Sequence, residues 1–232
     1  MSAVRLAVFD MDGTLLDSLP DLAACCRDIL EQCGLPLLSD TQVRTMIGSG
    51  VQVLLERAFK ASMDMQQAVT GYVPDLPFST EEAVSRFMEV YTPRATRLSR
   101  LFPGTEEALL DLRAQGWALA VCTNKPEHAA RRILADFKLT DLFAAVGGGD
   151  SFVARKPDVR HLLGTIAQAG GTPEKSVMVG DMPPDYLAAQ AAGCPFVFAC
   201  WGYVTAQQVK NPRLQAATMR DVPALLARCI PI

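Results

Sequence analysis

The hydrophobic pattern divides the chain into a short apolar start, a helical stretch and an alternating region. Residues 4–9 form an apolar run without alternation, which is typical of a strand buried on both faces of a parallel sheet. Apolar residues at three- and four-residue spacing then predict helices over 17–34, 39–47 and 50–60, and another from Ser79 onward. Gly71, Pro74 and Pro77 predict a loop over 63–78.

Beyond residue 98 the strand and helix patterns alternate. Strands are predicted at 117–122, 143–146, 177–179 and 196–199, and helices at 105–115, 126–137, 158–169, 186–192 and 220–229. Such alternation is typical of an α/β fold with a parallel sheet. We therefore predict a Rossmann-like parallel-sheet core built from residues 1–16 and 98–232, with a helical insertion over residues 17–97.

Composition excludes several classes of protein. The 232 residues are 50% hydrophobic and 20% charged, as in folded globular proteins rather than disordered ones. The formal net charge of -3, without a basic block, argues against partners such as nucleic acid or an anionic membrane. No apolar run approaches the ~18 residues that span a bilayer. Seven cysteines without a Cys-x-x-Cys pair, and no signal-peptide pattern, predict reduced thiols and a cytoplasmic location.

Polar side chains follow three of the predicted strands at their carboxyl ends, and a lysine lies in a loop between the last two of these. These residues are Asp10, Asp12, Thr123, Asn124, Lys156, Asp181 and Asp185. In an open parallel sheet, ligands bind outside the carboxyl ends of the strands. We therefore expect these side chains to share one cleft.

Several carboxylates in one cleft repel each other unless a cation neutralises them, and Mg²⁺ prefers such oxygen ligands. The hydroxyl of Thr123, the amide of Asn124 and the charge of Lys156 complete a set suited to a phosphate group. Each motif alone has a simpler interpretation: a turn at Asp10–Thr14, a helix cap at Thr123-Asn124, and a solvated lysine at 156. Their order along the chain favours the shared site.

Four motifs carry a family resemblance. The segment Phe9-Asp10-Met-Asp12-Gly-Thr14-Leu-Leu-Asp17-Ser18 resembles the first motif of the haloacid dehalogenase superfamily. Thr123-Asn124, Lys156-Pro157 and Gly180-Asp181-x-x-x-Asp185 resemble the second, third and fourth, in that order. The position of the insertion implies a helical cap. Residues 47–58, 99–104 and 119–126 are similar to bacterial phosphoglycolate phosphatases.

This resemblance implies a Mg²⁺-dependent phosphatase that forms an aspartyl-phosphate on Asp10. Asp12 would serve as general acid and then as general base. Thr123 and the backbone at Asn124 would hold phosphoryl oxygens, while Lys156 would offset negative charge. The implied metal ligands are the side chain of Asp10, the backbone carbonyl of Asp12 and the carboxylate of Asp181, with Asp185 as a direct or water-mediated ligand.

Substrate choice is expected to depend on the cap, because the core recognises only the phosphate. Gly48-Ser49-Gly50 opens a predicted helix whose free N–H groups could bind a small carboxylate, and Arg44 is near in sequence. An ordinary flexible loop is the equal alternative. The expected partner is a small phosphorylated substrate, with 2-phosphoglycolate favoured. The alternatives are a sugar phosphate, an amino-sugar phosphate or a nucleotide, and more remotely a binding protein with a decayed site.

The fourth motif departs from the family pattern. Met182 stands where the family usually has Ser, and Pro183 and Pro184 follow it. Because proline has no backbone N–H, we expect these residues to remove two donors from the acidic loop.

The remaining candidates receive structural interpretations. Residues 147–149, a run of three glycines, lack the Gly-Lys-Ser/Thr of a P-loop and predict a turn after a strand. Asp150 is expected to orient Lys156. His128 and His161 are both predicted to be exposed helix residues.

Overall fold

The computed structural model describes residues 4–231, which form two compact units. The helical unit comprises residues Ser18–Ser99. The core unit comprises the described residues up to Asp17 and from Arg100 onward. In the described part of the chain, none of the helices combines the length and apolar character that a membrane crossing requires.

The core unit contains a six-stranded parallel sheet within residues 4–231. The strands of the chain are β1 (Leu6–Phe9), β2 (Leu16–Asp17), β3 (Arg100–Leu101), β4 (Ala118–Cys122), β5 (Ala145–Gly147), β6 (Ser176–Gly180), β7 (Phe196–Ala199) and β8 (Leu214–Ala216). The sheet order is β5-β4-β1-β6-β7-β8, and every pair in it is parallel. β2 and β3 form a separate antiparallel pair. The predicted Rossmann-like parallel-sheet fold is confirmed.

Helices surround the core sheet and build the other unit. The helical unit contains α1 (Leu19–Gln32), α2 (Asp40–Arg44), α3 (Val51–Thr70) and α4 (Thr80–Tyr91). The core unit contains α5 (Thr105–Ala114), α6 (Glu127–Asp136), α7 (Val159–Gln168), α8 (Pro183–Ala192) and α9 (Val222–Cys229).

The central strand β1 is buried along its whole length, as its unbroken apolar run predicts. Leu6 and Val8 of β1 pack in one cluster with Leu162 and Ile166 of α7 and with residues of α8. This packing holds the carboxyl ends of the central strands in fixed positions, and the candidate residues leave the sheet there.

The helix α3 is longer than the pattern predicts. The loop expected over 63–78 is wrong for its first part, because the helix continues to Thr70. No glycine or proline interrupts residues 61–70, and Gly71 ends the helix at φ 71° with its N–H donating to the carbonyl of Gln67 (2.8 Å).

The two prolines of the fourth motif lie in a helix rather than in a loop. Pro183 and Pro184 are the first residues of α8, which begins three residues before the predicted start at 186. The first N–H groups of a helix have no acceptor within the helix, so a proline at these positions removes no intrahelical hydrogen bond. The two N–H donors that the sequence predicts to be missing are absent, but their absence removes no hydrogen bond from α8.

Candidate active site

Three neighbouring strands deliver the polar residues of the core. Asp10 follows β1, Thr123 follows β4 and Asp181 follows β6, and these strands lie side by side in the order β4-β1-β6. The Asp10 N–H donates to the carbonyl of Val179 (2.9 Å), and the Thr123 N–H donates to that of Gly147 (2.9 Å). These bonds extend the ladder one residue beyond each strand, so the backbone under both side chains is fixed.

Three buried carboxylates meet at this edge of the sheet. One carboxylate oxygen from each of Asp10, Asp181 and Asp185 lies within 4.8 Å of the others. Burial, followed by repulsion from Asp185, raises the pKa of Asp10 although Lys156 opposes that shift. Burial and the charges of Asp10 and Asp185 likewise raise the pKa of Asp181. The group is suited to a cation with oxygen ligands.

Lys156 supplies the ammonium that contacts this cluster. Its Nζ lies 3.0 Å from Oδ1 of Asp10 and 2.6 Å from Oδ1 of Asp185, and it also donates to the carbonyl of Cys122. Burial lowers the pKa of Lys156, but the two carboxylates outweigh burial and raise it. One ammonium among three carboxylates leaves an excess of two negative charges, which fits a divalent cation.

Asp181 is held by two loops that approach it closely. Its Oδ1 accepts from the Thr14 hydroxyl (2.9 Å), and its Oδ2 accepts from the Tyr203 N–H (2.7 Å). A Cβ on Gly13, whose φ is 86°, would lie 2.3 Å from Oδ2, and one on Gly202 would lie 2.2 Å from the Asp181 Cβ. Both glycines are therefore required for these approaches. The 202–203 segment was not among the predicted site residues, because it contacts Asp181 through a backbone N–H that leaves no signal in the sequence.

Asp185 is engaged at both carboxylate oxygens. Oδ1 accepts from Lys156, and Oδ2 accepts from the Met182 N–H (3.0 Å). Met182 is the N-cap of α8, so Asp185 occupies the third helical position and reaches back over the helix start.

The loop after β4 holds Thr123 and Asn124 without using them as a helix cap. Both are buried, and the Asn124 amide donates to the carbonyl of Lys156 (2.9 Å). Instead, the N–H of Glu127 at the start of α6 donates to Oδ1 of Asp150 (2.7 Å). Asp150 therefore caps α6, and the expectation that it orients Lys156 is wrong.

The glycine run after β5 passes against this same loop. A Cβ on Gly148 would lie 2.3 Å from the Glu127 nitrogen, and one on Gly149 would lie 2.4 Å from the carbonyl oxygen of Asn124. Because these glycines have no Cβ, the backbone of the loop after β5, which leads toward Lys156, can lie directly against the backbone of the loop that carries Thr123.

Lys125, which sequence analysis did not consider, forms an ion pair with Asp12. Its Nζ lies 3.2 Å from Oδ2 of Asp12, and the two side chains are 4% and 14% exposed. A lysine directly after Asn124 in a predicted strand-end loop was the signal available in the sequence.

His161 was predicted to be exposed, and this prediction is wrong. Its ring is completely buried, with Nδ1 accepting the Lys156 N–H (3.0 Å) and Nε2 3.2 Å from the carbonyl oxygen of Gly147. Because an amide N–H only donates, Nδ1 carries no proton and Nε2 donates to the carbonyl. Burial, aided by the charge of Lys156, lowers the pKa of His161 to about 4. His128 is exposed, as predicted.

The remaining candidates belong to the helical unit. Gly48 and Gly50 have φ values of 110° and 89°, and Gly50 is the N-cap of α3 without a side-chain cap. Ser49 lies between them, and Arg44 is exposed at the end of α2. The backbone N–H groups at the start of α3 thus lack a side-chain acceptor at the cap position.

Comparison with known proteins identifies relatives in sequence and in structure. The chain is 41% identical over 198 residues to the phosphoglycolate phosphatase of Caulobacter vibrioides, covering 84% of this chain and 78% of that protein. It is 35% identical over 211 residues to the phosphoglycolate phosphatase of Vibrio cholerae, covering 91% of each. The crystal structure of a predicted phosphoglycolate phosphatase from Haemophilus somnus matches with a TM-score of 0.87 and 32% identity, over 97% of this chain and 99% of that one.

The family model for haloacid dehalogenase-like hydrolases matches residues 7–199. That span includes all four motifs, from Asp10 to Asp185. The chain belongs to the haloacid dehalogenase-like hydrolase family, as the motifs predicted.

Proposed function

We propose that the protein is a Mg²⁺-dependent phosphoric monoester hydrolase whose substrate is 2-phosphoglycolate. The observation that carries the proposal is the buried cluster of Asp10, Asp181 and Asp185 beside Lys156, at the carboxyl ends of the central strands. Its excess of two negative charges suits one divalent cation, and its position suits a phosphate group.

Asp10 is the proposed nucleophile. Its carboxylate attacks phosphorus while the bond to the leaving alkoxide breaks, which gives an aspartyl-phosphate. The contact between Oδ1 and Lys156 supports this role, because the ammonium favours the ionised carboxylate against the effect of burial.

Asp12 is the proposed general acid and base. It gives a proton to the leaving oxygen in the first step and takes one from the attacking water in the second. The two carboxylates have different surroundings: Asp10 belongs to the acidic cluster, whereas the carboxyl of Asp12 pairs with Lys125 outside it and is not among the proposed metal-binding carboxylates.

Donors around the proposed phosphate position come from two loops. The Thr123 hydroxyl and the backbone at Asn124 would hold phosphoryl oxygens, and Lys156 would offset charge shared by the phosphoryl group and Asp10. The hydrogen bond from Asn124 to the Lys156 carbonyl ties these two loops together, so the donors keep a fixed spacing.

The donor set fits a magnesium ion. Asp10, Asp181 and Asp185 would hold it with the backbone carbonyl of Asp12, and oxygen donors of this kind are those that Mg²⁺ prefers. When bound, the ion would neutralise charge that develops on the phosphoryl oxygens. The bonds to Thr14 and Tyr203 keep Asp181 oriented for this purpose.

The choice of 2-phosphoglycolate draws support from the relatives that carry the name phosphoglycolate phosphatase. A small carboxylate is chemically suited to the start of α3, where the backbone N–H groups that follow Gly50 lie at the positive end of a 20-residue helix. Arg44, which is exposed, would add positive charge. We propose that the helical unit acts as a cap that supplies this recognition.

A panel of phosphate monoesters tests the proposal. Phosphate release would be measured with 2-phosphoglycolate, sugar phosphates, amino-sugar phosphates and nucleotides at fixed Mg²⁺. We expect the highest kcat/KM for 2-phosphoglycolate and loss of turnover in Asp10→Asn, which is nearly isosteric and lacks the nucleophile's charge. A higher kcat/KM for another ester would refute the substrate, and wild-type rates in Asp10→Asn would refute the nucleophile.

A further inference from the structure

Lys125 is a buried lysine that none of the proposed catalytic steps uses. Its backbone is held on both sides: the N–H donates to the Thr123 hydroxyl (3.3 Å), and the carbonyl accepts from the Gly149 N–H (2.8 Å). A lysine on a surface loop keeps its ammonium in water, whereas this side chain is 4% exposed. The fold therefore places the ammonium inside the core unit.

Burying an ammonium is unfavourable unless a charged or polar partner compensates for the lost hydration. For Lys125 the compensating charge is Asp12, whose Oδ2 lies 3.2 Å from Nζ. The pair joins the loop after β4 to the loop after β1. This contact therefore ties the position of the Asp12 side chain to a backbone segment that is itself hydrogen-bonded.

The two oxygens of Asp12 differ in their surroundings. Oδ1 is buried and has no hydrogen-bond partner within residues 4–231, while Oδ2 contacts Lys125. Oδ1 has no accessible surface at which a leaving oxygen or a water could meet it. The contact between Oδ2 and Lys125 is therefore a polar contact that holds this carboxyl in place.

We propose that Lys125 is a positioning residue that fixes the Asp12 carboxyl for proton transfer. The inference rests on the proposed function. In the first step the Asp12 proton passes to the leaving alkoxide as its bond to phosphorus breaks and the Asp10–phosphorus bond forms. In the second, Asp12 takes a proton from water as the water oxygen bonds to phosphorus and Asp10 is released. The sum is ester plus water giving alcohol plus phosphate.

The test compares two leaving groups in Lys125→Met, which is one atom shorter than lysine and removes the charge. An alkyl ester such as 2-phosphoglycolate needs a proton on its leaving oxygen, whereas 4-nitrophenyl phosphate does not. Supporting residues of this kind are typically worth ~10–100-fold. We expect kcat for 2-phosphoglycolate to fall by that factor while kcat for the nitrophenyl ester falls by much less.

A second comparison uses the Asp12→Asn background. Because Lys125 is proposed to act through Asp12, Lys125→Met should cause little further loss of kcat there, so the two effects should not add. Lys175→Met, at an exposed lysine of the core unit, is the matched control. Thermal unfolding of each variant checks the fold, and Lys125→Gln replaces Lys125→Met if that variant does not fold.

Equal losses of kcat for both esters, adding fully to those of Asp12→Asn, would overturn the inference and assign Lys125 to the phosphoryl group instead. Unchanged kinetics in Lys125→Met and Lys125→Gln would overturn it as well. If the wild-type protein hydrolyses no phosphate ester, the proposed function fails and the inference fails with it. An active wild type with insensitive Lys125 variants refutes the inference alone.

Discussion

The burial of His161 predicts a specific dependence of stability on pH. The ring accepts the Lys156 N–H at Nδ1 and has its pKa lowered to about 4, chiefly by burial. In the unfolded chain the same side chain has a pKa of about 6.5. The unfolded chain therefore binds a proton first as the pH falls, and the free energy of unfolding decreases through the window from about 6.5 to about 4.

The size of the effect follows from the two pKa values. Each unit of difference corresponds to about 1.4 kcal/mol. The contribution of His161 should remove about 2 kcal/mol of the unfolding free energy between pH 7 and pH 5, and about 3 kcal/mol by pH 4. For a domain of ordinary stability this is a large fraction of the total.

The perturbation is His161→Asn, whose side-chain oxygen can accept the Lys156 N–H but does not titrate in this range. Because the chain has two histidines, His128→Asn, at the exposed one, is the matched control. Urea unfolding of metal-free protein, followed by the fluorescence of the buried Trp117, gives the free energy of unfolding at each pH.

Between pH 7 and pH 5 the wild type and His128→Asn should lose about 2 kcal/mol more than His161→Asn. Titration of His161 followed by NMR should give a midpoint far below 6.5, near the value of about 4 that burial produces. If the free energy of unfolding changes with pH in the same way in the wild type and in His161→Asn, or if His161 titrates near 6.5, burial does not lower the pKa of His161 and the prediction is wrong.

Three further predictions concern the acidic loops. Gly13→Ala places a Cβ 2.3 Å from Asp181 and strains a φ of 86°, so it should raise the Mg²⁺ concentration needed for half-maximal rate. The control is Gly193→Ala, which is strained at φ 70° but meets no atom within 4 Å, and an equal Mg²⁺ requirement in the two variants would contradict the prediction. Asp12→Asn should slow alkyl esters ~10²–10⁴-fold but nitrophenyl phosphate much less; an equal loss would count against the acid. Met182→Ser should lower the Mg²⁺ requirement by giving Asp185 a neighbouring hydroxyl, and an unchanged or higher requirement would exclude that support.

The sheet and the acidic residues could be predicted from the sequence, because buried strands form apolar runs and the acidic residues directly follow them. Residues 6–9 and 118–122 are buried on both faces, and such strands appear as continuous apolar runs. Asp10 and Asp181 follow such runs directly, so the topology of a parallel sheet suffices to bring them to one edge.

The parts that sequence analysis missed depend on tertiary contacts. Lysine is usually exposed and histidine is intermediate in burial, so residue type alone does not predict that Lys125 and His161 are buried. Tyr203 acts on Asp181 through its backbone N–H, which every residue except proline has. The strand β8 has only three residues, Leu214–Ala216, which is too short for a periodic pattern.

The extension of α3 shows a different limit. Because Gly71, Pro74 and Pro77 are typical of a loop, the loop was predicted to begin at residue 63, although the helix continues to Thr70 and ends at Gly71. Residues 61–70 are mostly polar or exposed, so the helical period of apolar residues fades there while the backbone stays helical.

The proposed metal site is tested most directly by phosphate release from 2-phosphoglycolate, measured with verified metal-free protein during a Mg²⁺ titration. Because Asp10, Asp181 and Asp185 crowd together beside Lys156, we predict no turnover without the ion. Activity should appear saturably as Mg²⁺ is added, and Ca²⁺ should replace it poorly because it favours more ligands at longer distances. Undiminished hydrolysis in the metal-free sample, or no hydrolysis at any Mg²⁺ concentration, would contradict the proposed Mg²⁺-dependent mechanism.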